Sequence, residues 1–241
     1  MESSDQSVAK LMKKLADQVN YGEHVVPYST DKADKIHAAM DLNSQRIYQE
    51  MTTQFEGQKD GAFCGVASAA ICLRHLFNSV PEKHAQFTQE AMYNKFIKNK
   101  MWKTKTDIRY GLTLDQIADL IGKAGGPEVT AKSVRIPDIT ALETKMKADL
   151  TAVFTASETQ KMCMIINFCR DYKGHKGGHF CPVAGYSKYE GTEYAFILDV
   201  ATHRSEPHWF PIKQLIPLMC RFDGKLPRGY ILISKALTHL H

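Results

Sequence analysis

Near residue 160 the chain changes character. Downstream come short runs rich in β-branched and aromatic residues: "KMCMIINFCR", "GHFCPVAGYSK", "EYAFILDVA" and "RGYILIS". Turn residues separate them, which is the pattern of successive strands. A single helical segment, about 212–220, interrupts the series. Upstream, apolar residues recur at helical spacing instead. Val8, Leu11, Met12, Leu15 and Val19 predict an amphipathic helix over 5–19. "PYSTDKADKIHAAMDL" predicts a second, with Ser29 or Thr30 as N-cap. Cys64 to Phe77 lacks proline and is apolar nearly all round, as a buried helix is. Residues 82–98, 113–124 and 138–149 are further helical candidates, and "LTLDQIADLIGKAGG" ends on the glycines of a helix stop. Helices first and antiparallel strands second make an α+β plan, a helical N-terminal lobe packed on a C-terminal antiparallel β-sheet lobe. We expect one domain over 1–241, with an N-terminal helical extension to about residue 24, a helical lobe over 25–155 and a sheet lobe over 156–241. A cleft between such lobes is a natural ligand site.

A chain of 241 residues buries a sizeable core without disulfides. The formal charge is +5, but the bases are scattered, with short clusters only at "KLMKK" and "KFIKNKMWKTK". A nucleic-acid binder concentrates its bases on one face, so no nucleic-acid partner is expected. The surplus reads as a solvated surface, or as mild attraction for small anions. No window approaches 18 consecutive apolar residues, so no membrane span is expected. The N-terminus lacks an apolar signal core, which makes a cytoplasmic location the expectation, although export without a signal would look the same. The six cysteines contain no Cys-x-x-Cys pair, which argues against a structural zinc site and for free thiols.

One of those thiols is placed for chemistry. A helix starting at Cys64 sets its sulfur at the positive end of the macrodipole, where thiolates are favoured. Gly65 lets the backbone approach whatever the sulfur attacks. Nucleophilic catalysis also needs a base and a group that orients it. His179, behind the glycines of "KGHKGG", is the best base. Asp199 ends the apolar run "AFILD" and needs a partner, which an imidazole supplies. A hairpin centred on "KYEGTE" brings His179 and Asp199 to the same open end. Gln58, six residues before the thiol, can donate to an oxyanion together with the Cys64 N–H. Taken singly, such a Cys is usually packing and such an Asp a turn residue; the ordered set of four is the stronger signal.

These residues resemble a known family. "QKDGAFCGVASAAICL", "GGHFCPVAGY", "FILDVA", "PHWFPIKQLIPLM", "TTQF" and "RGYILIS" are similar to motifs of the phytochelatin synthases, a branch of the papain-like cysteine peptidases, in the same order from about residue 25 to 235. The resemblance implies a papain-like fold in a short, catalytic-domain-only form. It implies cleavage of the Cys–Gly bond of glutathione through a γ-glutamylcysteinyl thioester on Cys64. The acyl group then passes to a second glutathione or a phytochelatin peptide, or to water. His179 is implied as base, Asp199 as orienter and Gln58 as oxyanion donor. Heavy-metal detoxification and glutathione turnover are the settings it brings. No tightly bound cofactor and no metal site in the protein are implied; cadmium or zinc would stimulate as glutathione thiolate complexes, as soft-ligand preference allows. Short family members can dimerise, so a homodimer is allowed for.

A γ-glutamyl end carries an ammonium and a carboxylate, so its pocket needs an acid and preferably an arginine. The family positions correspond to Arg170, Asp223 and Arg228. One departure stands out. Where the family has an arginine after Asp-Val-Ala, this chain has Thr202, followed by His203 and Arg204. That favours a second reading, a deglycinating hydrolase of glutathione or its conjugates with little transpeptidation, unless Arg204 compensates. A third reading is a thiol-rich metal binder without turnover, which the cysteine spacing opposes. Cys72, Cys163, Cys169 and Cys220 are expected as packing or partly exposed thiols, and His208 and Trp209 as structural. Cys181, where the family has serine, shares a strand face with His179 and is expected to pack, with cleft lining or a thiophilic metal as the alternative.

Overall fold

The computed structural model describes residues 24–98, 111–170 and 177–236. The helix expected over 5–19 lies outside the described residues. Helix α1 spans Asp31–Ala38 and is capped by Thr30, whose side chain accepts from Ala33 N at 3.3 Å. Helix α2, Leu42–Thr53, escaped the sequence reading. Its signals are Asp41, an N-cap accepting from Ser44 N at 2.8 Å, and the buried Ile47, Tyr48 and Met51 on one face. Helix α3 is Cys64–Leu76. The continuous helix expected over 82–98 is broken into a 3₁₀ turn over Pro81–Phe87, α4 over Gln89–Met92 and a π turn over Tyr93–Ile97. Thr88 makes the break: its backbone is extended and its side chain caps a new start at Ala91 N. Helix α5, Leu114–Gly125, opens on a Thr113/Gln116 capping box and closes at Gly126. Helix α6, Ile139–Thr155, runs on past residue 149, and α7 is Ile212–Met219.

The strands are β1 Val26–Pro27, β2 Val129–Val134, β3 Met162–Cys169, β4 Gly178–Tyr189, β5 Thr192–Ile197, β6 His208–Pro211, β7 Phe222–Asp223, β8 Leu226–Pro227 and β9 Gly229–Lys235. Seven of them form one antiparallel sheet ordered β1-β6-β5-β4-β3-β9-β2, while β7 and β8 make a small separate ribbon. This is the α+β, papain-like arrangement, with one amendment. Both edge strands, β1 and β2, come from the helical half of the sequence. The β4–β5 turn is Glu190–Gly191 with φ of 48° and 74°. Two positive-φ residues give the turn whose twist matches paired strands. The hairpin closes at Tyr189↔Thr192 and reaches Val183↔Ile197, with a bulge before Gly185.

Helix α3 lies on β3 and β4. Ser68 Oγ sits 3.1 Å from the Phe180 carbonyl and 2.7 Å from that of Cys64, fastening the start of the helix to the strand that carries His179. Gly65 has a packing role in addition to the one expected of it. A Cβ there would lie 2.4 Å from Ile117 Cδ1, so the glycine lets α5 press against α3. Gly65→Ala should therefore lower stability by about 1–3 kcal/mol through overpacking, read as a reduced urea midpoint; an unchanged midpoint would refute that account. Among the described residues no helix is long and apolar enough to cross a membrane.

Candidate active site

Cys64 is the first residue of α3. Phe63 occupies the N-cap without a side-chain hydrogen bond, so no capping group neutralises the positive end of the helix. His179 is the second residue of β4, and Asp199 lies two residues past the end of β5. The hairpin brings them together: His179 Nε2 donates to Asp199 Oδ1 at 2.7 Å, and both side chains are buried. Ala201 N donates to the same carboxylate oxygen at 3.0 Å. A carboxylate only accepts, so the Nε2 carries the proton and the lone pair of a neutral imidazole is on Nδ1. That nitrogen is the one able to take the thiol proton, and Arg170 Nη2 also contacts it. The ring of Phe168 stands edge-on to the imidazole at 5.8 Å.

Electrostatics favour an ion pair. Burial pushes the Cys64 thiol up, but its hydrogen bond to His179, the imidazolium charge, the Phe180 backbone and the Arg170 charge bring it below its ordinary value. Burial works against the imidazolium of His179 as well, yet the neighbouring Cys181 and the Asp199 carboxylate hold its pKa well above the usual value. A depressed thiol beside an elevated imidazole is how a cysteine nucleophile is kept ready near neutral pH.

Gln58 sits on the loop before α3. Its backbone N donates to Val200 O at 2.7 Å, stitching this loop to the segment after Asp199. Its side-chain Nε2 donates to Asp60 O at 2.7 Å and Gly61 O at 3.0 Å, while its buried Oε1 has no partner among the described residues. An oxyanion role therefore requires Nε2 to exchange one loop carbonyl for the substrate. Sequence reasoning missed Gln89, which is fully buried. Its Oε1 accepts from Lys59 N and its Nε2 donates to Gly57 O, both at 2.9 Å, clamping the chain on either side of Gln58. Only its burial separates it from an ordinary surface glutamine. Thr202 packs on the same loop: a Cβ at Gly57 would lie 2.6 Å from Thr202 Oγ1. Gln89→Ala should slow kcat about 10- to 100-fold by misplacing Gln58, with little change in KM; an equal rise in KM at constant kcat would point to a binding role instead.

Arg228 and Asp223, both expected at the γ-glutamyl pocket, are brought together. Arg228 Nη1 donates to Asp223 Oδ2 and to Asn167 Oδ1, each at 3.2 Å. Arg228 is buried and Asp223 exposed, so the pair presents its acid outward. Gly178 makes room for it, because a Cβ there would lie 1.7 Å from Arg228 Nη1. Asn167 was overlooked; a lone amide inside the apolar run "MCMIINFC" was its signal. Arg170, the third expected pocket residue, has its buried guanidinium on His179 Nδ1 through Nη2.

Among the described residues one group could hold a metal ion: His179, Cys181 and Asp199, with ligand atoms within 4.8 Å of one another. All three are buried, and a cation there would have to displace the Nε2 proton that joins His179 to Asp199. Burial raises the Cys181 thiol, while the His179 charge works in the opposite direction. All six cysteines are free. Cys72, Cys163 and Cys169 are buried, and Cys220 is half-buried. His208 Nδ1 bonds Glu206 O at 2.9 Å, and Trp209 packs on Phe196 in the core.

A family model described as phytochelatin synthase matches residues 16–230. Curated relatives include glutathione gamma-glutamylcysteinyltransferase 1 of Triticum aestivum, 28% identical over 218 residues, covering 87% of this chain and 40% of that protein. Glutathione gamma-glutamylcysteinyltransferase 2 of Arabidopsis thaliana is 27% identical over 194 residues, 77% of this chain and 39% of that protein. Glutathione gamma-glutamylcysteinyltransferase 3 of Lotus japonicus is 23% identical over 217 residues, 87% of this chain and 42% of that protein. The chain thus spans about two fifths of the length of these relatives.

Proposed function

The chain belongs to the phytochelatin synthase family, and from that premise we propose that it is a glutathione γ-glutamylcysteinyltransferase. Cys64 attacks the carbonyl of the Cys–Gly bond, glycine leaves, and a γ-glutamylcysteinyl thioester remains. A second glutathione or a phytochelatin peptide then takes the acyl group, or water releases γ-glutamylcysteine. The observation that carries this reading is the half-buried thiol at the start of α3 facing a His179–Asp199 pair from the sheet. In the first step His179 takes the thiol proton and later gives it to the departing glycine amine. The Cys64 N–H and Gln58 stabilise the oxyanion. Asp223 answers the γ-glutamyl ammonium, and Arg228 with Arg170 the α-carboxylate. Cadmium or zinc enters as thiolate complexes of the substrate rather than as a resident ion.

Incubation with glutathione, with and without cadmium or zinc, followed by mass spectrometry tests this. Glycine and γ-(Glu-Cys)₂-Gly are the expected products, and no glycine under any condition would sink the reading. The second reading, hydrolysis with little transpeptidation, rests on Thr202, which stands where the family has an arginine and packs its hydroxyl against Gly57. It predicts γ-glutamylcysteine in place of the extended peptide. A cytoplasmic setting, where reduced glutathione is available, and a homodimer complete the proposal.

A further inference from the structure

The contact between Arg170 and His179 falls on the nitrogen that catalysis needs. Nε2 is committed to Asp199. Nδ1 is the remaining acceptor on the ring, and Arg170 Nη2 donates to it. The same lone pair must receive the Cys64 proton if a thiolate–imidazolium pair is to form. Arg170 and the proton therefore exclude each other: a protonated Nδ1 has nothing to offer a guanidinium but repulsion. Arg170 is buried where it closes β3, and its own backbone N is tied to Gly177 O at 3.2 Å. It is thus held beside the site whatever its side chain does. Its five donors form a fork that suits a carboxylate much better than a single imidazole nitrogen.

We propose that Arg170 is a substrate-released latch on the base: in the free protein it occupies His179 Nδ1, and the α-carboxylate of a γ-glutamyl substrate draws it away, freeing Nδ1 to take the Cys64 proton. This rests on the glutathione reading of the same site. The step moves one proton, from Cys64 Sγ to His179 Nδ1, and leaves a thiolate and an imidazolium. Its consequence is economy of reactivity. The thiol is fully activated only when an acyl donor lies beside it, and stray electrophiles meet a less ionised sulfur. The other titratable groups that act on the imidazole are Asp199 on Nε2, Cys181 along β4, the Cys64 thiol, and His203, which also feels the charges of Arg170 and His179.

The pH dependence of Cys64 alkylation tests this, with iodoacetamide as reagent and intact-protein mass spectrometry as readout. A Cys64→Ala variant supplies the blank for the other thiols. The probe is γ-glutamylmethylamide, which carries the ammonium and α-carboxylate but neither a thiol nor a Cys–Gly bond. Simple shielding of Cys64 would scale the rate at every pH, whereas release of the latch moves the midpoint. The midpoint of the native chain should fall by about one pH unit when the amide is added at a concentration that halves glycine release. In Arg170→Met the midpoint should not move with the amide, while KM for glutathione rises; its starting value is no readout, because the variant also removes a charge that lowers the thiol. A native midpoint unmoved by the amide overturns the latch, and so does an Arg170→Met midpoint that still falls when the amide is added. The amide arm uses the native protein, so it decides the matter even if the variant misfolds. Failure of the function reading looks different: Cys64→Ala would then release glycine as fast as the native chain.

Discussion

A Cys64→Ser variant should release glycine from glutathione about 10⁴-fold more slowly than the native chain, or about 5.5 kcal/mol of lost transition-state stabilisation. The size follows from what His179 can and cannot do. With the thiol already lowered by His179 and the imidazole raised by its neighbours, one proton transfer generates the nucleophile at neutral pH. A serine hydroxyl in the same place is several units less acidic than a thiol, and the same imidazole cannot ionise it. Glutathione binding should change little, because Asp223, Arg228 and Asn167 are anchored on other elements. The measurement is glycine release by amino-acid analysis beside glutathione affinity by calorimetry. Turnover within tenfold of native at unchanged affinity would remove Cys64 from the mechanism. A matching loss of affinity would mean that the serine disturbs the pocket rather than the chemistry.

The residues that meet at this site differ in how visible they were beforehand. The His179–Asp199 pairing was legible because it is local. A short turn at "KYEGTE" fixes a hairpin, and the hairpin fixes which residues share an end. The helix start at Cys64 was legible because the run that follows it is apolar on every side. Strand β2 was not, since "VTAKSV" gains its place only by pairing with β9, about a hundred residues later. The break of 82–98 was hidden for a related reason: Thr88 reads as an ordinary helix residue until its hydroxyl is seen capping Ala91 N. Gln89 and Asn167 bind nothing that lies near them in sequence, so their importance appears only once burial and partners are known. Arg170 shows the limit of matching by position. Sequence placed it among carboxylate-binding candidates, while the fold sets its guanidinium on the base. Both roles fit one side chain only if it moves between them.

Asp199→Asn should cost less than the loss of the thiol and reveal more about the proton's route. An amide can still accept from His179 Nε2 through Oδ1, but it no longer carries charge, and rotated it would donate to Nε2 and force the proton onto Nδ1. That tautomer cannot receive a proton from Cys64. The carboxylate is one of the groups that hold the His179 pKa up. Removing it lowers the imidazole pKa, so the ion pair forms less readily and the thiol ionises at higher pH. The sign is therefore fixed: the acidic limb of both alkylation and turnover moves to higher pH. At neutral pH glycine release should drop about 10²- to 10⁴-fold, the scale on which loss of the orienting carboxylate acts in hydrolase triads. The two activities should then separate. Above the new thiol pKa a thiolate forms without help, so iodoacetamide alkylation should recover to within a few-fold of native. Glycine release should not recover, because the departing amine still needs a proton and a weakly held imidazolium is scarce at that pH. Parallel recovery of both activities would confine Asp199 to ionising the thiol. A loss below tenfold across the whole range would mean that the buried carboxylate organises the sheet end through Ala201 N and takes no part in catalysis.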